Sequence, residues 1–165
     1  MKRLLALIGT VLFLAWGQAS ANIVFTFAGV TFDDGGTLTG TFTTNDALNS
    51  LIDFDITTSP GTGIGFHYTP GTVGSSSTSL PAIIVLSDAT LDHILQVTFD
   101  GGLTATGAPI FIGTSDSFEQ TTFPARRDIN HGSAQVVTTV PEPSTLVLLA
   151  IGVLGLLVSV RHRRV

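Results

Sequence analysis

The chain has 165 residues, of which 44% are hydrophobic and 12% are charged, a composition that suits one folded domain and excludes a charged disordered chain. The formal net charge of −5 argues against a nucleic-acid-binding protein, because neutralising phosphates requires basic patches. The absence of cysteine excludes a disulfide framework, a thiolate zinc site and a cysteine nucleophile.

The charges are distributed unevenly along the chain. Five of the seven basic residues lie close to the two ends, and each basic end adjoins an apolar run. Residues 22–139 carry eleven acidic side chains but only two arginines, Arg126 and Arg127, which gives this segment a net charge of −9. The sequence therefore divides into an acidic body and two short basic ends.

Residues 1–21 have the pattern of a secretory signal peptide. Lys2 and Arg3 precede an apolar stretch, which is followed by the small residues Ala19-Ser20-Ala21. Signal peptidase accepts small side chains at the first and third positions of such a triplet. We therefore predict an N-terminal signal helix that signal peptidase removes by cutting after Ala21.

The body, residues 22–139, is predicted to be an all-β domain. Short runs that alternate apolar and polar side chains recur between turn residues, without long helical periodicity. We predict strands at 23–32, 37–44, 51–58, 64–68, 82–86, 95–99, 103–106, 110–113, 117–123 and 133–139. Gly29 lies where the first strand changes parity, which indicates a β-bulge. The expected architecture is an antiparallel β-sandwich or jelly roll, with surface loops at 69–79 and 123–132.

Asp53, Asp55 and His67 form a weak candidate for a metal site. If Thr58 pairs with Ile64 around the intervening turn, Asp55 lies opposite His67, and Asp53 shares their outer face. Carboxylates and imidazole suit several divalent cations. Two or three such side chains on a flat face are more often a solvated polar surface, so we predict no metal and no cofactor.

Three further clusters have both a chemical and a simpler interpretation. The turn Asp33-Asp34-Gly35-Gly36 offers carboxylates, but it lacks the alternating acidic ligands of a calcium loop. Asp92-His93 has no identifiable nucleophile as a partner, and Arg126-Arg127 suits either acidic sugars or a solvated loop. The motifs of serine hydrolases, zinc proteases and phosphate-binding loops are absent, so we predict no catalytic residue.

Residues 140–165 combine three features in a fixed order. The motif Pro141-Glu142-Pro143 is followed by an apolar segment at 144–160 and by a basic end at 161–165. The basic side chains of that end that would stop translocation are Arg161, Arg163 and Arg164. A helix over 144–160 is roughly 25 Å long, slightly less than a hydrocarbon core, which suits a transient transmembrane anchor. Because positive residues stay in the cytoplasm, both basic ends place the body across the membrane.

This three-part tail resembles the PEP-CTERM sorting domain of Gram-negative bacteria, whose proteins are similar in function to the LPXTG substrates of sortase. The resemblance implies that an exosortase, a membrane-embedded protease-transferase, recognises the tail and cuts near Pro141-Glu142-Pro143. It also implies delivery to the cell surface or to the exopolysaccharide matrix. The body is similar to the short β-rich cores that precede such tails, a likeness that implies no activity.

These features favour an exported, exosortase-processed protein of the cell surface or extracellular matrix, with a structural or adhesive role and no enzymatic activity. Exopolysaccharide is the candidate matrix partner. The alternative is a carbohydrate- or calcium-binding β-sandwich module, and a secreted hydrolase is the third possibility. Sugar-binding platforms generally use Trp or Tyr, and the body contains only Tyr68, which weighs against the carbohydrate module.

Overall fold

The computed structural model describes residues 22–121 and 125–140, and this part of the chain is all-β, as predicted. The strands are β1 (Asn22–Phe32), β2 (Thr37–Thr44), β3 (Leu51–Thr58), β4 (His67–Tyr68), β5 (Val73–Ser79), β6 (Ile83–Asp88), β7 (His93–Thr98), β8 (Ile110–Phe111), β9 (Phe118–Thr121) and β10 (Arg126–Val140). Among the described residues, none belongs to a helix with the length and hydropathy of a membrane span.

The predictions for the two ends of the chain fall outside the described residues. They comprise the signal peptide 1–21 with Ala19-Ser20-Ala21, the motif Pro141-Glu142-Pro143, the apolar segment 144–160 and the basic end 161–165. The two predicted flanking helices therefore remain predictions.

All strand pairs are antiparallel, and one hydrogen-bonded path runs in the order β4-β3-β2-β1-β10-β9-β7-β6-β5, with β8 beside β10. The path is two meanders joined through β10, which pairs with β1 along most of its length and with β9 at its start. Tyr68 in β4 donates a hydrogen bond to Glu119 in β9. The ring centroids of Phe42 in β2 and of Phe99, which follows β7, are 5.7 Å apart. The two meanders therefore share one hydrophobic core.

Alternating side chains explain the first meander. In β2, Leu38 and Phe42 are buried, whereas the threonines between them face solvent. Phe42 stacks on Phe25 of β1, with 5.0 Å between ring centroids. Burial of such aromatic side chains removes 150–250 Å² each from water as a general magnitude, so these pairs supply much of the driving force for folding.

The predicted bulge at Gly29 is confirmed. The pairing of β1 with β2 skips from Thr26 to Val30, and Gly29 has a φ of 61°, which residues with a Cβ atom seldom adopt. On the adjacent strand, Gly132 has a φ of 147°, and a Cβ there would lie 2.5 Å from Cγ2 of Val30. The bulge allows side chains on both sides of it to enter the core, namely Phe25, Phe27, Val30 and Phe32.

Three predicted segments were wrong. Residues 69–79 contain β5 rather than only a loop, because their backbone pairs with β6 although their hydroxyl side chains bury little. The predicted loop 123–132 contains the start of β10 at Arg126, and the predicted strand 103–106 is irregular and largely exposed. In each case, the alternation of apolar and polar side chains did not indicate whether the backbone pairs with another strand.

A buried ion pair connects β9 to β10. Glu119 and Arg127 are direct cross-strand partners, and their side chains are 0% and 4% exposed. Nε of Arg127 donates to Oε2 of Glu119 at 2.7 Å, and Nη2 donates to the same oxygen. The other oxygen, Oε1, accepts hydrogen bonds from the hydroxyls of Thr58 and Tyr68, both at 2.8 Å. The pair thus joins β9 and β10 to β3 and β4.

Neighbouring residues supply further hydrogen-bond partners for Glu119 and Arg127. Burial raises the pKa of Tyr68 far above its ordinary value, and the adjacent Glu119 carboxylate raises it further, so the phenol remains a donor. Nη1 of Arg127 donates to the carbonyl oxygen of Ser59 at 2.9 Å, and the guanidinium lies 4.2 Å from the ring centroid of Phe32. The Arg127 guanidinium is therefore bound by the Glu119 carboxylate and the Ser59 carbonyl oxygen, and it packs on the Phe32 ring.

We expect Arg127→Met to lower the free energy of unfolding of residues 22–140 by about 3–5 kcal/mol, because Glu119 would remain buried without its cation. This segment contains the entire described core and all the described strand pairings, so it can be studied as a domain. Urea denaturation followed by far-ultraviolet circular dichroism measures the change.

The neighbouring Arg126→Met is the matched control. Arg126 pairs with Asp128 at the surface, where both side chains are about half exposed, so we expect a loss of less than about 1 kcal/mol. Equal losses for the two substitutions would contradict the role assigned to Arg127.

Candidate functional site

Two clusters that the sequence suggested separately, the acidic turn and the arginine pair, meet at one cleft. The turn between β1 and β2 lies beside the start of β10 because these strands are neighbours, with Phe32 paired to Ile129. The cleft has a volume of about 280 Å³. It is lined by Asp33, Asp34, Thr62, Gly63, Thr121, Ala125, Arg126 and Arg127.

Asp34 binds groups of the protein itself within this cleft. Its Oδ1 accepts a hydrogen bond from the amide of Gly36 at 2.9 Å. Its Oδ2 accepts from the amides of Thr62 and Gly63, at 3.0 and 3.2 Å, and lies 3.4 Å from Nη1 of Arg127. Burial raises the pKa of Asp34, but the hydrogen bonds from Gly36 and Gly63 and the charge of Arg127 outweigh it, so the pKa lies below its ordinary value. Asp34 therefore fastens the 59–63 loop to the β1–β2 turn.

Arg126 is the exposed cation of the cleft. Its Nε donates to Oδ1 of Asp128 at 2.7 Å, and its guanidinium lies 3.9 Å from the ring centroid of Phe118. Asp33 is engaged by the backbone, since its Oδ1 accepts from the amide of Asp128 at 3.2 Å. With Arg126 about half exposed, the arrangement offers one accessible cation above an aromatic ring.

The weak metal candidate contains one close pair. Nε2 of His67 lies 2.6 Å from Oδ1 of Asp55, with the side chains 56% and 71% exposed. Oδ1 of Asp53 instead accepts a hydrogen bond from the amide of Phe54. In the part of the chain that the structure describes, no three His, Cys, Asp or Glu side chains are placed to hold a metal ion.

The predicted register of β3 and β4 was wrong by two residues. Thr57 pairs with His67, and Ile56 pairs with Tyr68, so Asp55 does not lie directly opposite His67. Since strand side chains alternate with a period of two, a shift of two residues keeps every side chain on its predicted face. Asp55 and His67 therefore meet as diagonal neighbours on the outer surface.

The position of His93 is explained by its packing against Phe66 and by a backbone hydrogen bond to Asp88. Its ring stacks on Phe66 with 4.2 Å between centroids, and its amide donates to Oδ1 of Asp88 at 3.1 Å. Burial raises the pKa of Asp88, but hydrogen bonds from Thr90 and His93 outweigh this and lower it overall. Nδ1 of His93 is buried and has no hydrogen-bond partner among residues 22–121 and 125–140. Within those ranges, no serine or threonine hydroxyl forms a hydrogen bond with Nδ1 of His93.

The buried cluster of Glu119 with Thr58 and Tyr68 has no counterpart among the sites predicted from the sequence. Glu119 lies opposite Leu95 of β7, a fully buried position, and this pairing places it on the core face. The missing signal was the register of β9 between β7 and β10, which the short run Phe118–Thr121 does not determine by itself.

We expect Asp34→Asn to reduce the loss of stability at acid pH. Because the folded-state pKa of Asp34 lies below its unfolded value, the ionised side chain stabilises the fold above about pH 4, and this contribution disappears as pH falls through the folded value. Urea denaturation of residues 22–140 at several pH values measures the slope.

Asp46→Asn, at an exposed position in the β2–β3 turn, is the control for that measurement. We expect this control to keep the wild-type acid dependence. An Asp34→Asn variant with the same slope as the wild type would contradict the assigned contribution of Asp34.

The family model of the PEP-CTERM protein-sorting motif matches residues 139–164. Searches of curated proteins and of solved structures found no match. The matched segment contains the features on which the sequence resemblance rests, so that resemblance is confirmed. A PEP-CTERM motif implies processing by exosortase, a membrane protein, and hence export with transient membrane anchoring. This chain therefore carries, at residues 139–164, the sorting motif that marks exported proteins for exosortase.

Proposed function

We propose that the protein is released by an exosortase as a β-sandwich domain of the cell surface or exopolysaccharide matrix, where it has a non-enzymatic structural or adhesive role. The observation that carries this proposal is the position of the sorting motif directly after the folded domain. Strand β10 ends at Val140, and the next residue is Pro141. Processing near the motif would leave the described domain intact.

The two ends of the domain support the same route. The first residue of β1, Asn22, pairs with the last residue of β10, Val140. In our proposal, the signal peptide ends at Ala21 and is removed by signal peptidase, and the apolar segment 144–160 holds the tail in the inner membrane. Until signal peptidase cuts, both connections would lead from neighbouring strand ends of the domain, which suits a chain held at both ends by the same membrane during export.

The tail has the chemistry that recognition by a peptidase requires. Because proline disfavours helical conformations in its own and the preceding residue, we expect Glu142, between Pro141 and Pro143, to be presented to the enzyme in an extended form. We propose that the arginines at 161, 163 and 164 stop translocation, which would hold the motif at a defined distance from the bilayer.

A structural or adhesive role fits the domain because its buried charged groups serve its own fold. Asp34, Glu119 and Arg127 bind one another and neighbouring segments. The domain also has no disulfide, so its stability comes from the core and from this buried network.

A carbohydrate-binding module is the second candidate, and Arg126 above Phe118 is the feature that favours it. If the domain recognises acidic sugars there, Arg126→Met should abolish its sedimentation with exopolysaccharide purified from the host. If its role is structural, we expect that substitution to leave sedimentation unchanged, because the half-exposed pair of Arg126 with Asp128 contributes little to the stability of the fold.

We expect replacement of Pro141, Glu142 and Pro143 by alanine in the full-length protein to abolish release and to leave the protein in the membrane fraction. The substitutions remove the extended segment while retaining the apolar segment and the basic end. Immunoblots of membrane and extracellular fractions from the native host measure the distribution.

The matched control replaces Ser144 and Thr145, the two residues after the motif, by alanine. We expect this control to be released as the wild type is. Release of the motif variant at the wild-type level would contradict exosortase sorting.

A further inference from the structure

Strand β5 has an open edge. It is the last strand of the hydrogen-bonded path, and in the described residues only β6 pairs with it. Five of its seven residues are exposed and the other two are half-buried, so side-chain burial contributes little to it. A strand with one neighbour and both faces exposed gains little from packing, and its unpaired backbone groups can bind another strand.

From Ser75 to Ser79, this edge lacks the features that usually prevent strand pairing. Edge strands are commonly protected by charged side chains, proline, bulges or short length. The sequence of β5, Val-Gly-Ser-Ser-Ser-Thr-Ser, contains no charge and no proline. After a register shift between Val73 and Ser75, the run from Ser75 to Ser79 pairs regularly with β6. By contrast, β4 at the opposite end of the path has only two residues.

The space beside the start of β5 is also open. A groove of about 280 Å³ separates the β5 residues Val73–Ser76 from the start of β3. The β3 wall is apolar, and Ile52 on it is 52% exposed. A strand that bound to β5 would therefore meet an accessible backbone edge with an apolar surface nearby.

The distribution of charge favours a second copy of this chain as the partner. The body has a net charge of −9, so two copies repel each other in most orientations. Residues 56–87 contain no Asp, Glu, Lys or Arg, and this segment includes β4, β5 and most of β6. It is the longest stretch of the body without such residues. Two copies that meet along Ser75–Ser79 therefore bring no charged side chain of β5 itself into contact.

We propose that two copies of this protein associate through their β5 strands, which pair antiparallel about a two-fold axis. An antiparallel strand is self-complementary in this geometry, because each copy offers the same donors and acceptors to the other. The small Ser and Thr side chains allow the backbones to approach. This association does not depend on the proposed sorting or matrix role, although it would give a released protein a means of linking to itself.

The absence of native cysteine permits a direct test in the full-length protein. Single cysteines replace each residue from Ser75 to Ser79 in turn, and the exported protein is examined on non-reducing gels. Paired antiparallel strands bring opposite Cα atoms to about 4.5–5.5 Å, which is within the range of a disulfide. We expect a disulfide-linked dimer that is strongest at one position or two adjacent positions.

Thr39→Cys is the control, because Thr39 is exposed on β2, which is paired on both sides. We expect no dimer at this position. No dimer at any of the five β5 positions, or equal dimer at all five and at Thr39, would overturn the proposal. If the tail 141–165 or a different molecule covers β5, the full-length variants stay monomeric, which also overturns it for the intact protein.

The second measurement is the dimer dissociation constant of residues 22–140, determined by analytical ultracentrifugation. Ser77→Glu places a negative charge on each β5 strand of an already acidic pair, so we expect the dimer dissociation constant to rise about ten-fold or more. Thr39→Glu adds the same charge to a central strand and should leave the constant unchanged. A wild-type segment that is monomeric at every concentration, or a Ser77→Glu variant that dimerises like the wild type, would overturn the proposal.

Discussion

The buried pair of Glu119 and Arg127 is the interaction on which the described fold depends. It lies where the two meanders join, and Oε1 of Glu119 also binds Thr58 and Tyr68 from the other side of the core. Apolar side chains of similar volume often stabilise a core as well as a buried ion pair does. Our hypothesis is that the pair specifies register, because a slip of one residue in β9 would turn Glu119 away from Arg127.

Local patterns allowed part of the fold to be predicted from the sequence. Strands β1 to β3 alternate clearly, and Gly29 marked the bulge at which β1 changes the face it buries. Strand β5 could not be recognised, because its serines show no apolar alternation and its structure depends on pairing with β6. The sequence predicts a loop at the start of β10 because an arginine, Arg127, occupies a core position there.

The candidate site was less predictable than the sorting tail. Asp34 and Arg127 are 93 residues apart in sequence, and only the pairing of β1 with β10 brings them together. The tail, by contrast, is a local sequence of motif, apolar segment and basic end, so it could be identified without knowledge of the fold. The pairing of Asn22 with Val140 links these results, because the two ends of the described domain lie side by side, and each adjoins in the sequence one of the segments predicted to meet the membrane.

We propose that exosortase releases the body between the two basic ends as an intact domain. The intact mass of the protein recovered from its native host, with and without the exosortase gene, tests this proposal. We expect a chain that begins at Asn22 and ends near Pro141-Glu142-Pro143, found only when the enzyme is present, and any added mass would indicate an attached glycan or lipid. A chain that keeps Val165 in both strains would rule out release by exosortase and indicate a permanently anchored protein.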